Sequence, residues 1–249
     1  MTTLRAPAKL TWFLEVVGER ADGYHLLRSE MVSLALADTL TIGEGDGLTI
    51  TGLGAERLDA GPSNLVTKAL ALVGRRAAVT LHKAIPAGGG LGGGSSDAAA
   101  ILRWAGFGDL LAASRLGGDV PFCLRGGRAL VEGVGEQVTP LADVPRRVTL
   151  FLPSFGVNTA ACYQAYDQLV RSGERPSGRN HLTAAACLVE PRLEAFMAFV
   201  ASVTGREAVL AGSGSTVFVE GWGVGVPTGV PGPDGAIQVL ESETVPAGT

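Results

Sequence analysis

The chain has 249 residues, of which 46% are hydrophobic, so it is long enough to bury a sizeable core as one large domain or two small ones. A net charge of -4 and a pI near 5.4 exclude the overall basic surface expected of a nucleic-acid-binding protein, while acidic ligands stay possible wherever backbone amides cluster. Three cysteines, Cys123, Cys162 and Cys187, are odd in number and far apart, which argues against a disulfide framework or a zinc site and fits a reducing, cytoplasmic setting.

The first residues lead into no long apolar segment, so no signal peptide is expected there, and no apolar run reaches the ~18 residues of a membrane span. Residues 8–17 read as a strand rich in aromatic and branched side chains, followed by a turn over 18–24. Further strands are expected over 30–36, 39–42 and 47–51. Ser63 or Asn64 caps a helix from 65 to 73, and Val79 and Leu81 alternate with polar neighbours in a strand over 77–82. A glycine-rich segment comes next, and then good helix formers over 95–105. Strands are expected over 128–134 and 147–152, and helices over 159–170 and 190–203. Strands over 207–210 and 216–219 flank a second glycine turn, 211–215. The Pro/Gly-rich stretch 221–233 reads as a loop before a short strand near 236–240. Interleaved helices and strands place the chain in a mixed α and β class, with a seam near 143–147 dividing residues 1–145 from 146–249.

The glycine-rich segment is the most informative. It runs Pro86, Ala87, Gly88, Gly89, Gly90, Leu91, Gly92, Gly93, Gly94, Ser95, Ser96 and ends at Asp97. Glycines let the backbone approach a ligand closely, and the helix that follows offers unpaired N–H groups at the positive end of its dipole. That combination is a phosphate site, and the hydroxyls of Ser95 and Ser96 add groups for a phosphate or a magnesium ion. A flexible linker is not normally wedged between an alternating strand and an alanine-rich helix. The segment lacks the Gly-Lys-Ser/Thr of a Walker loop and the spacing of a dinucleotide-binding fingerprint, so it is a phosphate loop of another kind.

This segment resembles the Pro-x-Gly-x-Gly-Leu-Gly-Ser-Ser signature of the GHMP kinase superfamily. Three more segments agree in order: Ala6 to Leu10 with Arg20 to His25, Leu116 to Phe122, and Leu210 to Phe218. The resemblance spans residues 5–219 and implies an α+β, two-domain GHMP kinase fold with the active site in the cleft between two α/β halves. It implies ATP and Mg²⁺, with the N-terminal half carrying the nucleotide and Ser96 reaching the metal. It also implies Asp119 as the catalytic base, with Lys9 beside it. By residue type alone, Lys9 is also a strand lysine snorkelling to solvent, and Asp119 a turn or helix-end aspartate. Lysine is scarce here, at 9, 68 and 83 only, which favours a site role for Lys9.

The long form of the loop and the pair Tyr24-His25 resemble the branch of the superfamily that phosphorylates the 2-hydroxyl of 4-diphosphocytidyl-2-C-methyl-D-erythritol in non-mevalonate isoprenoid biosynthesis. Tyr24 and His25 would then contact the cytidine of a small-molecule substrate, since a ring face stacks on a base and an imidazole edge bonds to it. Tyr163 would stack on the same base, or pack inward from its helix. Asn64 would touch the adenosine side or serve only as a cap. His82 and His181 read as structural. The alternatives are another kinase of the superfamily, acting on mevalonate, homoserine or a sugar, and a nucleotide-binding regulator without catalysis. The chain departs from the branch in a compressed segment, 104–115, and in the Pro/Gly-rich 221–233.

Overall fold

The computed structural model describes residues 1–226, 229–232 and 235–248. The described chain runs β1 (Thr2–Glu19), β2 (His25–Gly43), β3 (Gly47–Gly52), a 3-10 turn (Ala55–Arg57), α1 (Leu65–Leu72) and β4 (Ala78–Lys83). Then come α2 (Gly93–Trp104), α3 (Leu110–Ser114), α4 (Val120–Arg125), β5 (Arg128–Gly133), β6 (Gln137–Pro140) and β7 (Arg147–Leu152). The last elements are α5 (Thr159–Arg171), α6 (Thr183–Val189), α7 (Arg192–Thr204), β8 (Val209–Leu210), β9 (Val217–Glu220), β10 (Val230–Gly232) and β11 (Gly235–Val245). Among the described residues the named strands pair antiparallel except for β3 with β4, and helices and strands together make the class α+β.

β2 organises the sheet. One edge pairs with β1 from Thr2↔Ile42 to Glu19↔His25. The other edge is shared by β5 at residues 27–32, β11 at 33–34 and β4 at 39–43. β11 continues onto β7, and β7 onto β9, so the last strand joins the early sheet to the later one. Three apolar clusters follow from this. One lies between α1, α2, α4 and the β1-β2-β4-β5 face, and one under α5, α6 and α7. The third, with Leu10, Leu34, Ile85, Leu91, Leu150 and Phe218, ties strands of both parts to the two ends of the glycine loop.

Several elements differ from the sequence reading. The strands expected over 30–36 and 39–42 are one strand, β2, and Asp38 between them is fully buried inside it. α2 starts at Gly93 instead of residue 95. Its cap is Gly92 in the left-handed region (φ 67°), and neither serine caps it. Asn64 caps α1 by accepting the Val66 N–H, and its amide donates to the Asp59 carbonyl, so both ends of its side chain are used locally. α3 and α6 escaped the sequence reading because one is five residues long and the other is an apolar alanine-rich stretch without a polar cap. Residues 227, 228 and 233 of the Pro/Gly-rich stretch lie outside the described residues. Val230–Gly232 pairs with the start of β11, which at eleven residues is longer than the strand expected over 236–240. No helix among the described residues is long and apolar enough to cross a membrane.

Candidate active site

The glycine loop joins β4 to the N-terminus of α2, and two of its glycines are required by what lies against them. A Cβ on Gly90 (φ 78°) would stand 2.6 Å from the Ala211 carbonyl oxygen, because the loop closes against the second glycine turn. A Cβ on Gly92 (φ 67°) would stand 2.6 Å from Cγ of Lys9. The Thr216 N–H donates to the Gly89 carbonyl at 3.2 Å, and the Lys9 N–H to the Leu91 carbonyl at 2.9 Å. β1, the phosphate loop and the C-terminal turn are therefore fastened together at one place. The first N–H groups of α2, on Gly93, Gly94 and Ser95, have no carbonyl within the helix one turn back, an arrangement that can accept an anion.

Lys9 lies at the centre of that junction with 4% of its surface exposed. Its Nζ donates to Thr11 Oγ1 at 3.2 Å and pairs with Asp119 Oδ2 at 3.2 Å. Asp119 occupies the cap position of α4, yet its side chain makes no capping bond. The carboxylate is therefore left for the lysine and for solvent, and its side chain is 32% exposed. The pair sets a cation and a carboxylate oxygen side by side at the mouth of the loop.

Asp119 opens onto a cleft of about 710 Å³. Gly118, Ser95, Tyr24, His25, Tyr163 and Asp167 line the same cleft. The His25 ring stacks on Tyr163 with centroids 4.9 Å apart and planes at 26°, and Tyr166 meets its edge at 5.7 Å. His25 Nε2 lies 2.7 Å from Asp167 Oδ1. Burial first, and then the Asp119 charge, push the Tyr163 hydroxyl up, so it stays neutral. Tyr163 both packs against its neighbours and faces the cleft. Tyr24 is 62% exposed at the rim, with the Arg20 guanidinium over its ring at 5.4 Å.

The structure does not place Ser96 with the other loop groups. Its hydroxyl donates to the Pro7 carbonyl at 2.6 Å, and the residue is 1% exposed, so it fastens α2 to β1 and is not turned toward a metal. Ser95 is the serine that reaches the cleft. Among the described residues there is also no group of three or more His, Cys, Asp or Glu that could hold a metal ion.

A second charged group, missed in the sequence, lies directly beneath the loop. Lys83 pairs with Asp38 Oδ2 and, at 2.7 Å, with Asp97 Oδ2. Asp38 Oδ1 accepts the N–H groups of Ala84 and Ile85 at 2.6 and 2.8 Å. All three side chains are within 4% of full burial, and Asp97 Oδ1 has no hydrogen-bond partner. Burial pushes the Asp97 carboxyl up to about 7; the Lys83 charge opposes that and the Asp38 charge reinforces it. Burial acts to lower the Lys83 pKa, but the two carboxylates outweigh it and the net direction is up. This triad clamps β2, the end of β4 and the first turn of α2. The signal was present: Lys83 continues the inward phase of Val79 and Leu81 on β4.

Residues 64–127 match the model of the GHMP kinases N terminal domain, a span that holds the loop, α2 and Asp119. A 4-diphosphocytidyl-2-C-methyl-D-erythritol kinase of Paracoccus denitrificans (strain Pd 1222) is 39% identical over 235 residues, covering 86% of this chain and 84% of the relative. The chain belongs to the 4-diphosphocytidyl-2-C-methyl-D-erythritol kinase family. A member of that family from Moorella thermoacetica is 36% identical, covering 87% of this chain and 88% of its own length. The crystal structure of a 4-(cytidine 5'-diphospho)-2C-methyl-D-erythritol kinase superposes with a TM-score of 0.72 at 29% identity, over 97% of this chain and 98% of that one. The mevalonate kinase of Methanococcus jannaschii shares the fold at a TM-score of 0.55 and 13% identity, over 98% of each chain. The match to this kinase family runs nearly the full length of both chains, so the compressed segment 104–115 has not cost the chain its architecture.

Proposed function

We infer that the protein transfers the γ-phosphoryl group of ATP to the tertiary 2-hydroxyl of 4-diphosphocytidyl-2-C-methyl-D-erythritol, a step of non-mevalonate isoprenoid biosynthesis. The products are ADP and the 2-phosphate. The observation that carries this reading is the Lys9–Asp119 pair, 3.2 Å apart, at the meeting point of the glycine loop and the aromatic cleft. A phosphate-binding helix end, a proton acceptor and a base-sized aromatic pocket are adjacent in one cleft.

In this mechanism the α2 N-terminus and the loop amides, from Gly88 to Ser95, hold the triphosphate by hydrogen bonds and the helix dipole. Asp119 accepts the proton of the attacking hydroxyl, and Lys9, 3.2 Å away, offsets charge that develops on the transferring group. Phosphoryl transfer depends mainly on such positioning and charge stabilisation. Bound Mg²⁺ would neutralise charge on the phosphates, held by them and, on the protein side, by the Ser95 hydroxyl. Residues 1–145 form the ATP-binding half, and the remainder, through Tyr163 on α5, completes the substrate side. Tyr24, His25 and Tyr163 bind the cytidine. The buried, free thiols of Cys123 and Cys162 suit the cytoplasm.

A cleft end built of two aromatic rings and an imidazole suits a nucleobase better than mevalonate, homoserine or a sugar. A regulator without catalysis has no need of a buried lysine on an accessible carboxylate. The test is a coupled ADP-release assay with Mg-ATP over candidate alcohols. Turnover of the diphosphocytidyl methylerythritol, with none of mevalonate or homoserine, is expected; preferential turnover of mevalonate refutes the assignment.

A further inference from the structure

We propose that Asp167 selects cytosine over uracil in this cleft by fixing the tautomer of His25. The proposal rests on the reading of the aromatic end as the base site. Tyr163 and Asp167 are one turn apart on α5, so they share a face of the helix. The tyrosine ring lies flat against the imidazole, and the carboxylate reaches its Nε2 at 2.7 Å. The ring is thereby held both by its face and by one edge.

An ionised carboxylate only accepts hydrogen bonds, so the neutral imidazole must carry its proton on Nε2. Nδ1 is then a bare lone pair. Among the described residues it makes no hydrogen bond, and it is not a fully buried atom, so it is free to meet a base in the cleft that His25 lines. On a cytosine attached through N1, the exocyclic 4-amino group is the sole donor of the hydrogen-bonding edge. An acceptor tied in place can pair with that group alone. Uracil in the same pose puts a carbonyl oxygen there, and two lone pairs face each other. It would have to slide along its edge to offer its N3–H, and the Tyr163 stack resists that movement. Asp167 touches no reacting atom; it is a positioning residue acting through His25.

Three measurements test this. Long-range proton–nitrogen NMR on the free protein should find His25 protonated at Nε2 and bare at Nδ1. Calorimetry should find CDP bound roughly 10- to 100-fold more tightly than UDP, the range expected when one buried hydrogen bond is replaced by an unpaired contact. In Asp167→Asn the amide can donate to Nε2 and return the proton to Nδ1, the inversion seen when a tautomer-fixing carboxylate becomes an amide. The CDP/UDP ratio should then fall to near one or below, with ATP affinity unchanged, and Asp167→Glu should restore part of it. An Nδ1-protonated His25 in the free wild type, or an undiminished ratio in Asp167→Asn, overturns the proposal while leaving the kinase reading intact. Failure of the wild type to bind either diphosphate removes the base site itself, and both readings with it.

Discussion

Gly92→Ala tests whether the glycine loop and the catalytic pair are mechanically one unit. Gly92 sits at φ 67°, where an L-residue costs about 1–2 kcal/mol. Its new Cβ would meet Lys9 Cγ at 2.6 Å and Cε at 3.2 Å, against an ordinary carbon–carbon separation of about 3.5–4.0 Å. The lysine stem must therefore move by about 1 Å, and its Nζ is the atom held at 3.2 Å by both Thr11 and Asp119. A misplacement of about 1 Å at a reacting site typically costs about 10²-fold in rate. For a chain of this size, a backbone penalty of that order lowers Tm by roughly 2–8 °C. Gly74→Ala is the control: φ is 64° and open space surrounds it, so it carries the same backbone strain without the collision. Steady-state kinetics and thermal melts of both variants decide the matter. The expected outcome is a similar loss of Tm in both and a loss of kcat confined to Gly92→Ala. If Gly92→Ala turns over within about twofold of Gly74→Ala, the loop does not hold Lys9 in place.

Four other outcomes follow from the same geometry. Asp119→Asn should lower kcat by about 10²–10⁴-fold with ATP affinity little changed. Lys9→Ala should also lower kcat, and the double variant should lose no more than the worse single one; multiplied losses would mean that the two residues act separately. Lys83→Met leaves two carboxylates buried without their cation, which should destabilise the fold by about 3–5 kcal/mol in chemical denaturation, and a loss below about 1 kcal/mol would show that the triad holds nothing. Asp97 keeps its proton up to about 7 when folded and loses it near 3.9 when unfolded, so its contribution to stability falls as pH rises through that window. Asp97→Asn removes the dependence: its Tm relative to wild type should climb between pH 5 and about 8, and a pH-independent difference would contradict the raised carboxyl.

The phosphate loop was legible in the sequence because everything that makes it is contiguous. An alternating strand, six glycines and an alanine-rich helix specify a strand–loop–helix anion cradle by local rules alone. The fold class was legible for the same reason, since the periodicities of β4, α5 and α7 are local properties. Local rules could not say how each polar group is used. Ser96 reads as a phosphate or metal ligand until β1 passes beside it and its hydroxyl goes to the Pro7 carbonyl. Asp38 falls between the two strands expected over 30–36 and 39–42, and its use is set only by Lys83 and two backbone N–H groups around it. A charge at an inward strand position has meaning only when its partner is known, and partners on β2, β4 and α2 meet only after the sheet has formed.

The same limit applies to the residues that would do the chemistry. The sequence by itself determined that a glycine-rich backbone would lead straight into the start of α2. The family resemblance implied Lys9 beside Asp119, and the tertiary structure put the distance to it; the tertiary structure alone decided that Asp167 on α5 reaches His25 at the start of β2. These pairs lie far apart in the chain, and a salt bridge or hydrogen bond depends on a separation of about 3 Å that no residue spacing encodes. Closing those separations takes the whole antiparallel sheet, down to the strand β11 that joins β2 to β7.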